Sequence, residues 1–319
     1  MNDCVLAADF GGTTIKLGLV RGGGIIAQSR LEACAGQPMT DRLEAVARGW
    51  ELLLAENGCR SQDCAGVALA LPFLIDLKSQ RALGEFGKFP GANNLDFADW
   101  SRGRLGLPAV VENDLRMALL GEWTAGAARG KSDVVMLALG TGIGCAVIAD
   151  GRLLRGANNR AATLMGHSTI AYESAAGRCG NPGCAEDLAS TATLPILARA
   201  RPDFAGSKLA TAARIDYETI ITLAAQGDAC SQTLWQQSLK VWSALVQNVV
   251  IAYDPEMVVL GGGVLRSKDV VLPALERHLR RYLPGPPLQT PIVHSMLGDD
   301  AALLGGEVLM QQITAPFVT

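Results

Sequence analysis

Apolar residues form two long segments that follow the same plan, at residues 5–33 and at residues 134–156. In the first, VLAADF leads into the turn GGTT, a second apolar run ends at GGG, and a third run follows. In the second, VVMLAL leads into GTG, another apolar run leaves this turn, and DG marks the next turn. Apolar runs separated by glycine-containing turns are typical of hairpins, so each segment is predicted to be an antiparallel meander. Two such segments indicate a duplicated unit.

The glycine-rich turns of both segments lead from one strand into another strand. In a Rossmann unit or a P-loop, the corresponding turn leads from a strand into a helix. Neither turn is followed by the Gly-Lys-Ser/Thr sequence of a P-loop. The sequence therefore disfavours both of these common nucleotide-binding folds.

Helical periodicity appears between and after the two meanders. Residues 41–57 repeat apolar side chains at helical spacing, with Asp41 as the predicted N-cap and Gly58 as the stop. The other predicted elements are a buried strand that begins at residue 66 and ends at Pro72, a long helix at 233–252, a strand at 257–260 and a last helix at 301–313.

The alternation of strands and helices predicts a mixed α/β architecture in two domains. The first domain is expected at 1–115 and a larger second domain at 116–303. A C-terminal helix at 304–319 is expected to return and complete the first domain. Three residues at helical spacing are predicted to pack in the core, namely Trp50, Trp235 and Trp242.

Composition narrows the class of protein. The chain has 319 residues, of which 49% are hydrophobic and 18% charged, with a formal net charge of −3, as expected for a compact enzyme. Because no run of Lys or Arg is present, nucleic acid is not an expected partner. No leader sequence or apolar run of about 18 residues appears, so we expect no membrane association and a cytoplasmic location. The eight cysteines are scattered, which predicts reduced thiols.

Both turns carry the residues that a phosphate-binding loop needs. Phosphate oxygens accept hydrogen bonds from backbone N–H groups, and glycine lets the chain approach closely. Asp9 adds a carboxylate for a hydrated Mg²⁺, and Lys16 adds a cation for the phosphates. A tight hairpin without a ligand explains either turn alone, whereas two equivalent turns favour nucleotide binding. The predicted phosphate-contacting positions are Gly11, Gly12, Thr13 and Thr14 in the first turn, and Gly140, Thr141, Gly142 and Gly144 in the second.

The segment VENDLRMALLGE places a carboxylate between an apolar strand and an amphipathic helix. One interpretation is structural, since Asp114 is a favoured residue at a helix N-cap. The other is catalytic, with Asn113 orienting a hydroxyl group while Asp114 accepts its proton. The position of Asn-Asp at a strand end, in a chain with two phosphate-type turns, favours the catalytic role.

Several motifs, in order along nearly the whole chain, resemble those of the ROK family (repressors, open reading frames and sugar kinases). They are DFGGTTIK, FPGANN, VENDLRMALLGE, LALGTGIG, GH, CGNPGCAE and SMLGDDAALLGGE. The resemblance implies a ribonuclease-H-like (actin/hexokinase-type) duplicated fold, with two domains that close on a cleft. It also implies ATP-dependent phosphorylation of a hexose or amino-sugar, usually at the 6-hydroxyl. Mg²⁺, a structural zinc and a homodimer are implied as well.

The same resemblance assigns roles by position. Asp114 matches the catalytic base, and Asp9 and Lys16 match the first phosphate motif. The positions that match sugar contacts are Asn93, Asn113, Asp114, His167 and Glu186, and those that match the adenosine side are Gly261, Gly262 and Gly263.

One departure from the family pattern concerns the sugar. Leu164 stands where the family has a Glu that binds sugar hydroxyls, and the preceding segment GANNRAAT is one residue longer than usual. The identity of the sugar therefore does not follow from the motifs.

A second departure concerns the metal, because Gly177 stands where the family has the first Cys of its zinc cluster. The ligands that remain are His167, Cys179 and Cys184, and a structural zinc normally has four. Glu173 or a water molecule would complete the shell. The alternative is a loop held by its glycines and Pro182 without metal.

The predicted function is therefore an ATP-dependent sugar kinase. Asp114 is expected to accept the hydroxyl proton during in-line transfer of the γ-phosphoryl group, and domain closure is expected to exclude water. A DNA-binding repressor is disfavoured, because its helix-turn-helix segment would precede the phosphate motif that begins at Asp9. A non-catalytic sugar-binding sensor or regulator is the remaining alternative, favoured by Leu164 and disfavoured by the intact carboxylates and turns.

Overall fold

The structure is a computed structural model that describes residues 4–84, 87–280 and 290–314. In these residues the strands are β1 (Cys4–Phe10), β2 (Thr14–Arg21), β3 (Gly24–Glu32), β4 (Cys64–Leu71), β5 (Ile75–Asp76), β6 (Arg81–Ala82), β7 (Ala109–Asn113), β8 (Val134–Leu139), β9 (Ile143–Ala149), β10 (Arg152–Leu153), β11 (Met257–Gly261) and β12 (Ile292–His294). The α-helices are α1 (Met39–Glu56), α2 (Phe97–Leu105), α3 (Asp114–Ala125), α4 (Ala185–Ala189), α5 (Leu194–Arg199), α6 (Tyr217–Ala225), α7 (Ala229–Tyr253), α8 (Lys268–Leu279) and α9 (Ala301–Thr314).

The first sheet has the strand order β3-β2-β1-β4-β7. Strands β1, β2 and β3 form the predicted antiparallel meander, and β4 and β7 extend the sheet in parallel to β1. Successive side chains of a strand point to opposite faces. Leu6 of β1 therefore packs on the face that carries Trp50 of α1, while Val5 packs on the face that carries Leu309 of α9. Helices on both faces explain why β1 and β4 are buried along nearly their whole length.

The second sheet repeats this order as β10-β9-β8-β11-β12. Strands β8 and β9 are antiparallel, whereas β11 lies parallel to β8 and β12 lies parallel to β11. The shared strand order confirms the predicted duplication and the α/β, ribonuclease-H-like (actin/hexokinase-type) fold. Strands β5 and β6 form a separate two-stranded hairpin.

The chain divides into two compact units. The first comprises Met1–Gly130, Leu153–Ala161 and Met296–Thr319, and the second comprises Lys131–Arg152 and Ala162–Ser295. This division differs from the predicted boundary at 115, because α3 belongs to the first unit through its packing on α9. A Cβ added to Gly121 of α3 would lie 2.0 Å from the carbonyl oxygen of Ala301. Residues 315–319 of the predicted C-terminal helix lie outside the described residues.

Two helix starts differ from the sequence prediction. Helix α1 begins at Met39, after Pro38, so that Asp41 lies in the first turn and is not the N-cap as predicted. Proline is compatible with a helix start because its φ is already restricted, and Asp41 still interacts favourably with the helix dipole. Helix α7 begins earlier than residue 233, because the Asp228 side chain caps it by accepting a hydrogen bond from the N–H of Ser231.

The three tryptophans are core residues, as predicted. Trp50 and Trp242 are fully buried and Trp235 is 8% exposed. The Trp242 ring lies 5.9 Å from the Trp235 ring and 4.8 Å from the Tyr217 ring, as is common for packed aromatic pairs.

The described residues contain no helix that is both long and apolar enough to cross a membrane. Within the same residues, which include every cysteine, no disulfide is formed.

Candidate active site

Asp9 and Lys16 form an ion pair at the end of the first hairpin. They are directly opposed in the register of β1 and β2, and opposed side chains on one face of an antiparallel pair lie within contact distance. The Lys16 Nζ atom donates a hydrogen bond of 3.0 Å to Asp9 Oδ2, and each side chain is 14% exposed. Lys16 Nζ also lies 3.4 Å from Asp299 Oδ1. Asp299, from the LGDD sequence, is thus a third charged member that the sequence prediction missed.

Burial and the Lys16 charge act in opposite directions on the pKa of the Asp9 carboxyl group. Burial raises the pKa of Asp9, the Lys16 ammonium lowers it, and Asp299 raises it again, with a net increase. In proteins Mg²⁺ is held by one or two carboxylates together with water and substrate phosphates. Asp9 lies beside a phosphate-type turn and could supply such a carboxylate for Mg²⁺.

The turn between β1 and β2 is tight and exposed at its tip. The Gly11 N–H donates a hydrogen bond of 3.0 Å to the Thr14 carbonyl oxygen, and a Cβ at position 11 would lie 2.7 Å from that oxygen. The Thr13 carbonyl accepts a hydrogen bond of 3.0 Å from the Ala33 N–H, which ties the tip to the end of β3. Gly12 and Thr13 are exposed. The four predicted phosphate-contacting positions therefore form one exposed and well-braced turn.

Asp114 is the first residue of α3, but Asn113 caps the helix, because its Oδ1 accepts a hydrogen bond from the Arg116 N–H. Asp114 Oδ1 accepts hydrogen bonds of 2.8 Å from the Leu115 N–H and 3.0 Å from Asn113 Nδ2. No residue in the described part of the chain donates a hydrogen bond to the other carboxylate oxygen, Asp114 Oδ2. Capping therefore does not explain this carboxylate, which has one oxygen held in place and the other available.

The pKa of Asp114 is raised by burial to about 6, and the negative charge of Asp9 contributes in the same direction. The Leu115 N–H, the Lys88 ammonium and the Asn113 amide act in the opposite direction. A carboxyl group with this pKa is ionised at neutral pH but is a stronger base than an ordinary Asp. Because the Asp9 charge raises the pKa of Asp114, these two predicted site residues lie close together.

Lys88 is a residue of this site that the sequence prediction missed. A Cβ added to Gly12 would lie 4.0 Å from Lys88 Nζ, and the Lys88 charge lowers the pKa of Asp114. The amino group therefore lies near both the first turn and the proposed base. The position of Lys88 directly before the FPGANN motif is the signal that could have indicated it.

Phe89 fixes the loop that carries Lys88 and Asn93. Phe89 has a left-handed backbone, with φ of 49°, yet its side chain is fully buried. Its ring packs edge-on at 5.6 Å from the Phe10 ring, at the end of β1. Burial of this ring holds an unfavourable backbone conformation in place. Asn93 is exposed on the same loop, and its sugar contact stays a prediction.

A buried ionic network at the base of α3 was also missed. Glu112 is fully buried and pairs with Arg155 Nη1 and, at 3.6 Å, with Arg116 Nη1. Arg116 donates hydrogen bonds of 3.0 Å to the carbonyl oxygens of Asn159 and Ala161. Because unpaired buried charges are costly, this network holds segment 153–161 against α3, next to the Asp114 position.

The turn between β8 and β9, in the second unit, resembles the first turn. The Gly140 N–H donates a hydrogen bond of 3.0 Å to the Gly142 carbonyl, and the Gly140 carbonyl accepts one of 2.9 Å from the Thr191 N–H. Thr141 is exposed at the tip. Gly144 lies inside β9, beyond the turn, and the Gly140 N–H already donates to Gly142, so phosphate contacts from this turn would come from the N–H groups of Thr141 and Gly142.

Glu186 braces this second turn. Its Oε2 accepts a hydrogen bond of 2.8 Å from the Ile143 N–H, and a Cβ at Gly142 would lie 2.5 Å from the same oxygen. Glu186 Oε1 lies 3.9 Å from Arg178 Nη2. The predicted contact of Glu186 with a sugar stays a prediction, whereas its contact with the turn is observed.

Gly261, Gly262 and Gly263 lie beside the second turn because β11 is parallel to β8. A Cβ at Gly140 would lie 3.7 Å from the Gly263 nitrogen. Gly262 has φ of 89°, and a Cβ there would lie 2.4 Å from the Leu139 carbonyl oxygen, so glycine is required. The second unit therefore brings together two of the predicted ATP-binding segments.

His167, Cys179 and Cys184 also come together in the second unit. One ligand atom from each lies within 4.8 Å of the other two, and the two sulfur atoms are 3.5 Å apart. His167 Nδ1 is buried without a hydrogen-bond partner among the described residues. Such an atom fits a metal ligand, and the nitrogen–sulfur donor set suits zinc. Glu173, which was expected to complete the shell if a water molecule did not, is exposed and lies outside this group of ligand atoms.

Comparison with known proteins supports the family that the motifs indicated. Residues 5–313 match the model of the ROK family. The chain is 28% identical to a glucokinase of Halalkalibacterium halodurans, over 96% of this chain and 94% of the relative. A solved ROK family glucokinase from Streptomyces griseus, in complex with glucose and AMPPNP, is 27% identical with a TM-score of 0.76, covering 97% of this chain and 99% of that one.

A solved ROK family transcriptional regulator, a homologue of the E. coli MLC protein, is also similar. It is 26% identical with a TM-score of 0.81, covering 97% of this chain and 78% of the regulator. Because the family pattern extends over nearly all of the sequence and the paired sheets agree with it, this protein belongs to the ROK family.

Proposed function

We propose that this protein is an ATP-dependent sugar kinase that phosphorylates a hydroxyl group, the 6-hydroxyl in our proposal, of a hexose or amino-sugar. Similarity to a glucokinase and to a structure that contains glucose and AMPPNP supports this class of reaction. The observation that carries the proposal is Asp114, a carboxylate with one hydrogen-bonded oxygen, one available oxygen and a raised pKa, close to Asp9.

In the proposed reaction, the sugar hydroxyl oxygen forms a bond to the γ-phosphorus while the bond from that phosphorus to the β–γ bridging oxygen breaks. ADP leaves with the electron pair, and Asp114 Oδ2 takes the hydroxyl proton. The exposed turns at 11–14 and 140–142 offer backbone N–H groups for phosphate oxygens, and Lys16 offers a positive charge. Bound Mg²⁺, for which Asp9 is the proposed carboxylate, would neutralise phosphate charge.

A panel of sugars in an assay of ATP consumption tests the proposed function. We expect sugar-dependent formation of ADP and of a sugar phosphate in equal amounts. The position of the phosphate, read by NMR, tests the 6-hydroxyl assignment. Absence of sugar-dependent turnover with hexoses, amino-sugars and ketoses would contradict the kinase proposal.

The raised pKa of Asp114 predicts a specific pH dependence. The base must be ionised, so kcat/KM is expected to rise with pH through about 6 and then level off. The Lys88 charge lowers the pKa of Asp114, so Lys88→Met is expected to move this rise to higher pH. Lys78→Met, at an exposed lysine, is the matched control and should leave the profile in place. If the profile of Lys88→Met is unmoved or shifts to lower pH, the assignment of Asp114 as the base beside Lys88 is wrong.

Leu164 predicts poor use of glucose. Its side chain is 43% exposed and cannot accept hydrogen bonds from sugar hydroxyls, whereas the family Glu can. A buried hydroxyl without a partner costs about 1–3 kcal/mol, so we expect better kcat/KM with an N-acetylated amino-sugar, another epimer or a ketose. Leu164→Glu should raise the ratio of kcat/KM for glucose over the amino-sugar by about tenfold or more, since 1.4 kcal/mol is a factor of ten.

Leu164→Met is the control for this prediction because it keeps the side chain apolar. It should leave the preference between the two sugars nearly unchanged. Efficient use of glucose by the wild-type protein, at about 10⁴ M⁻¹s⁻¹ or above, would contradict the specificity argument but leave the kinase proposal intact.

A sugar-binding regulator without catalysis is the second candidate, favoured by the similarity to a ROK family transcriptional regulator. Such a protein would bind sugar without producing ADP, so the same assay separates the two functions. A homodimer, which the family resemblance implies, also stays a prediction that a sedimentation measurement can test.

A further inference from the structure

The cluster of His167, Cys179 and Cys184 has a specific neighbour at the position of the missing cysteine. The three side chains provide one nitrogen and two sulfur atoms, whereas a structural zinc site has four protein ligands. In the family pattern the fourth would come from position 177, which is glycine here.

The carboxylate of Asp187 occupies the space that a side chain at position 177 would fill. A Cβ added to Gly177 would lie 1.7 Å from Asp187 Oδ2 and 2.7 Å from its Cγ. The first distance is as short as a covalent bond, so Oδ2 lies in the volume that the first atoms of a side chain at 177 would fill. Gly177 and Asp187 are therefore complementary, because any side chain at position 177 would displace this carboxylate.

Asp187 is also tied to the cluster and to the loop around it. Its backbone N–H donates a hydrogen bond of 3.4 Å to Cys184 Sγ. Its Oδ2 accepts a hydrogen bond of 2.9 Å from the Arg178 N–H, and its Oδ1 accepts one of 2.9 Å from Arg178 Nε. Carboxylates that bind metals are themselves commonly oriented by such hydrogen bonds. Each carboxylate oxygen has a second lone pair, so the Arg178 contacts leave Asp187 able to bind a cation.

We propose that Asp187 is the fourth ligand of a zinc ion bound by His167, Cys179 and Cys184, in place of the absent thiolate at position 177. Two thiolates and one carboxylate carry the same formal charge as the three thiolates of a Cys₃His site, so the substitution conserves the charge around the metal. Glu173 and Asp187 both lie outside the group of three ligand atoms that are within 4.8 Å of one another. Asp187 differs from Glu173 by its place beside Gly177 and its contact with Cys184, and in the proposed site its carboxylate turns toward the bound ion. Glu173 is exposed, and we assign it no role. This proposal concerns a structural site and does not depend on the proposed kinase reaction.

Metal content and affinity test the proposal without an activity assay. Protein purified without chelator is expected to contain about one zinc per chain, and fewer than about 0.2 per chain would overturn the proposal. Zinc affinity is measured in competition with a chromophoric chelator. Asp187→Ala is expected to bind zinc at least about tenfold more weakly than wild type, because loss of a group that only orients a metal ligand already costs about tenfold in affinity. Glu173→Gln is the matched control and should retain wild-type affinity. Wild-type affinity in Asp187→Ala would overturn the assignment.

A compensating variant separates loss of a ligand from general damage to the loop. Gly177→Cys alone is expected to destabilise the loop, because its Cβ would overlap Asp187. Gly177→Cys combined with Asp187→Ala is expected to recover zinc affinity, since the thiolate takes the place of the carboxylate. With Co²⁺ in place of zinc, the double variant should show stronger thiolate-to-metal absorption than wild type, as expected for three thiolates against two. A double variant that binds no metal, or whose Co²⁺ spectrum equals that of wild type, would contradict the proposal.

Discussion

Replacement of Asp114 by Asn is expected to lower kcat by a factor of about 10²–10⁴, the usual contribution of general-base catalysis. The amide keeps the shape of the side chain, and its oxygen can still accept the hydrogen bond from the Leu115 N–H. The amide nitrogen that replaces Oδ2 cannot take the hydroxyl proton. ATP binding should be retained, because the turns at 11–14 and 140–142 are unchanged.

Stability separates this effect from unfolding. Because burial raises the pKa of Asp114 above that of an unfolded chain, the folded state binds this proton more tightly, and the contribution of Asp114 to stability falls as pH rises through about 6. Asp114→Asn should therefore be no less stable than wild type at neutral pH. Asp41→Asn, at an exposed carboxylate of α1, is the matched control for kcat. Retention of more than about a tenth of wild-type kcat by Asp114→Asn would rule out its role as the base.

Gly305→Ala is expected to lower the free energy of unfolding by about 1–3 kcal/mol, as overpacking of a close contact usually does. A Cβ at position 305 of α9 would lie 1.8 Å from the Met117 carbonyl oxygen and 3.0 Å from the Gly121 nitrogen of α3. Both are backbone atoms, which cannot rotate away as a flexible side chain could. The two helices must separate, and their contact is what places α3, with Asp114 at its start, on the first sheet. Urea unfolding gives the free energy directly.

Gly103→Ala is the matched control, because Gly103 lies inside α2 with nothing within 4 Å of the added Cβ. Helix propensity alone predicts that replacing either glycine by alanine stabilises the helix by about 1 kcal/mol. The structure predicts this result for Gly103 and the opposite sign for Gly305. Equal stabilisation by both substitutions would contradict the close backbone contact between α9 at Gly305 and α3 at Met117.

Turns and strand pairs were predictable where the interacting residues are neighbours in the chain. The GGTT and GTG turns, with apolar runs on each side, produce the two meanders, and the short first turn sets Asp9 opposite Lys16. Helix starts were less predictable. Asp41 looked like a cap for α1, but the chain enters that helix through Pro38, because several capping sequences are compatible with one apolar pattern.

The family motifs indicated Asp114 as the proposed base, and only the folded chain shows that it is not the helix cap. Asn113 makes the capping bond, and the raised pKa of Asp114 depends on burial and on the charge of Asp9. Lys88 and Asp299 lie beside or within family motifs, but they reach the site from segments distant in sequence, so the motifs did not reveal which charges they meet. The same holds for Asp187, which lies where a side chain at Gly177 would be.

The strand meanders, the duplication, the two glycine-containing turns and the family could be predicted from the sequence, because periodicity and turn chemistry act over a few residues. The tertiary structure alone decided which oxygen of Asp114 is available, which charges surround it and what fills the space beside Gly177. Desolvation and hydrogen bonding depend on all the groups that surround an atom in space, and those groups come from segments that the linear pattern does not bring together.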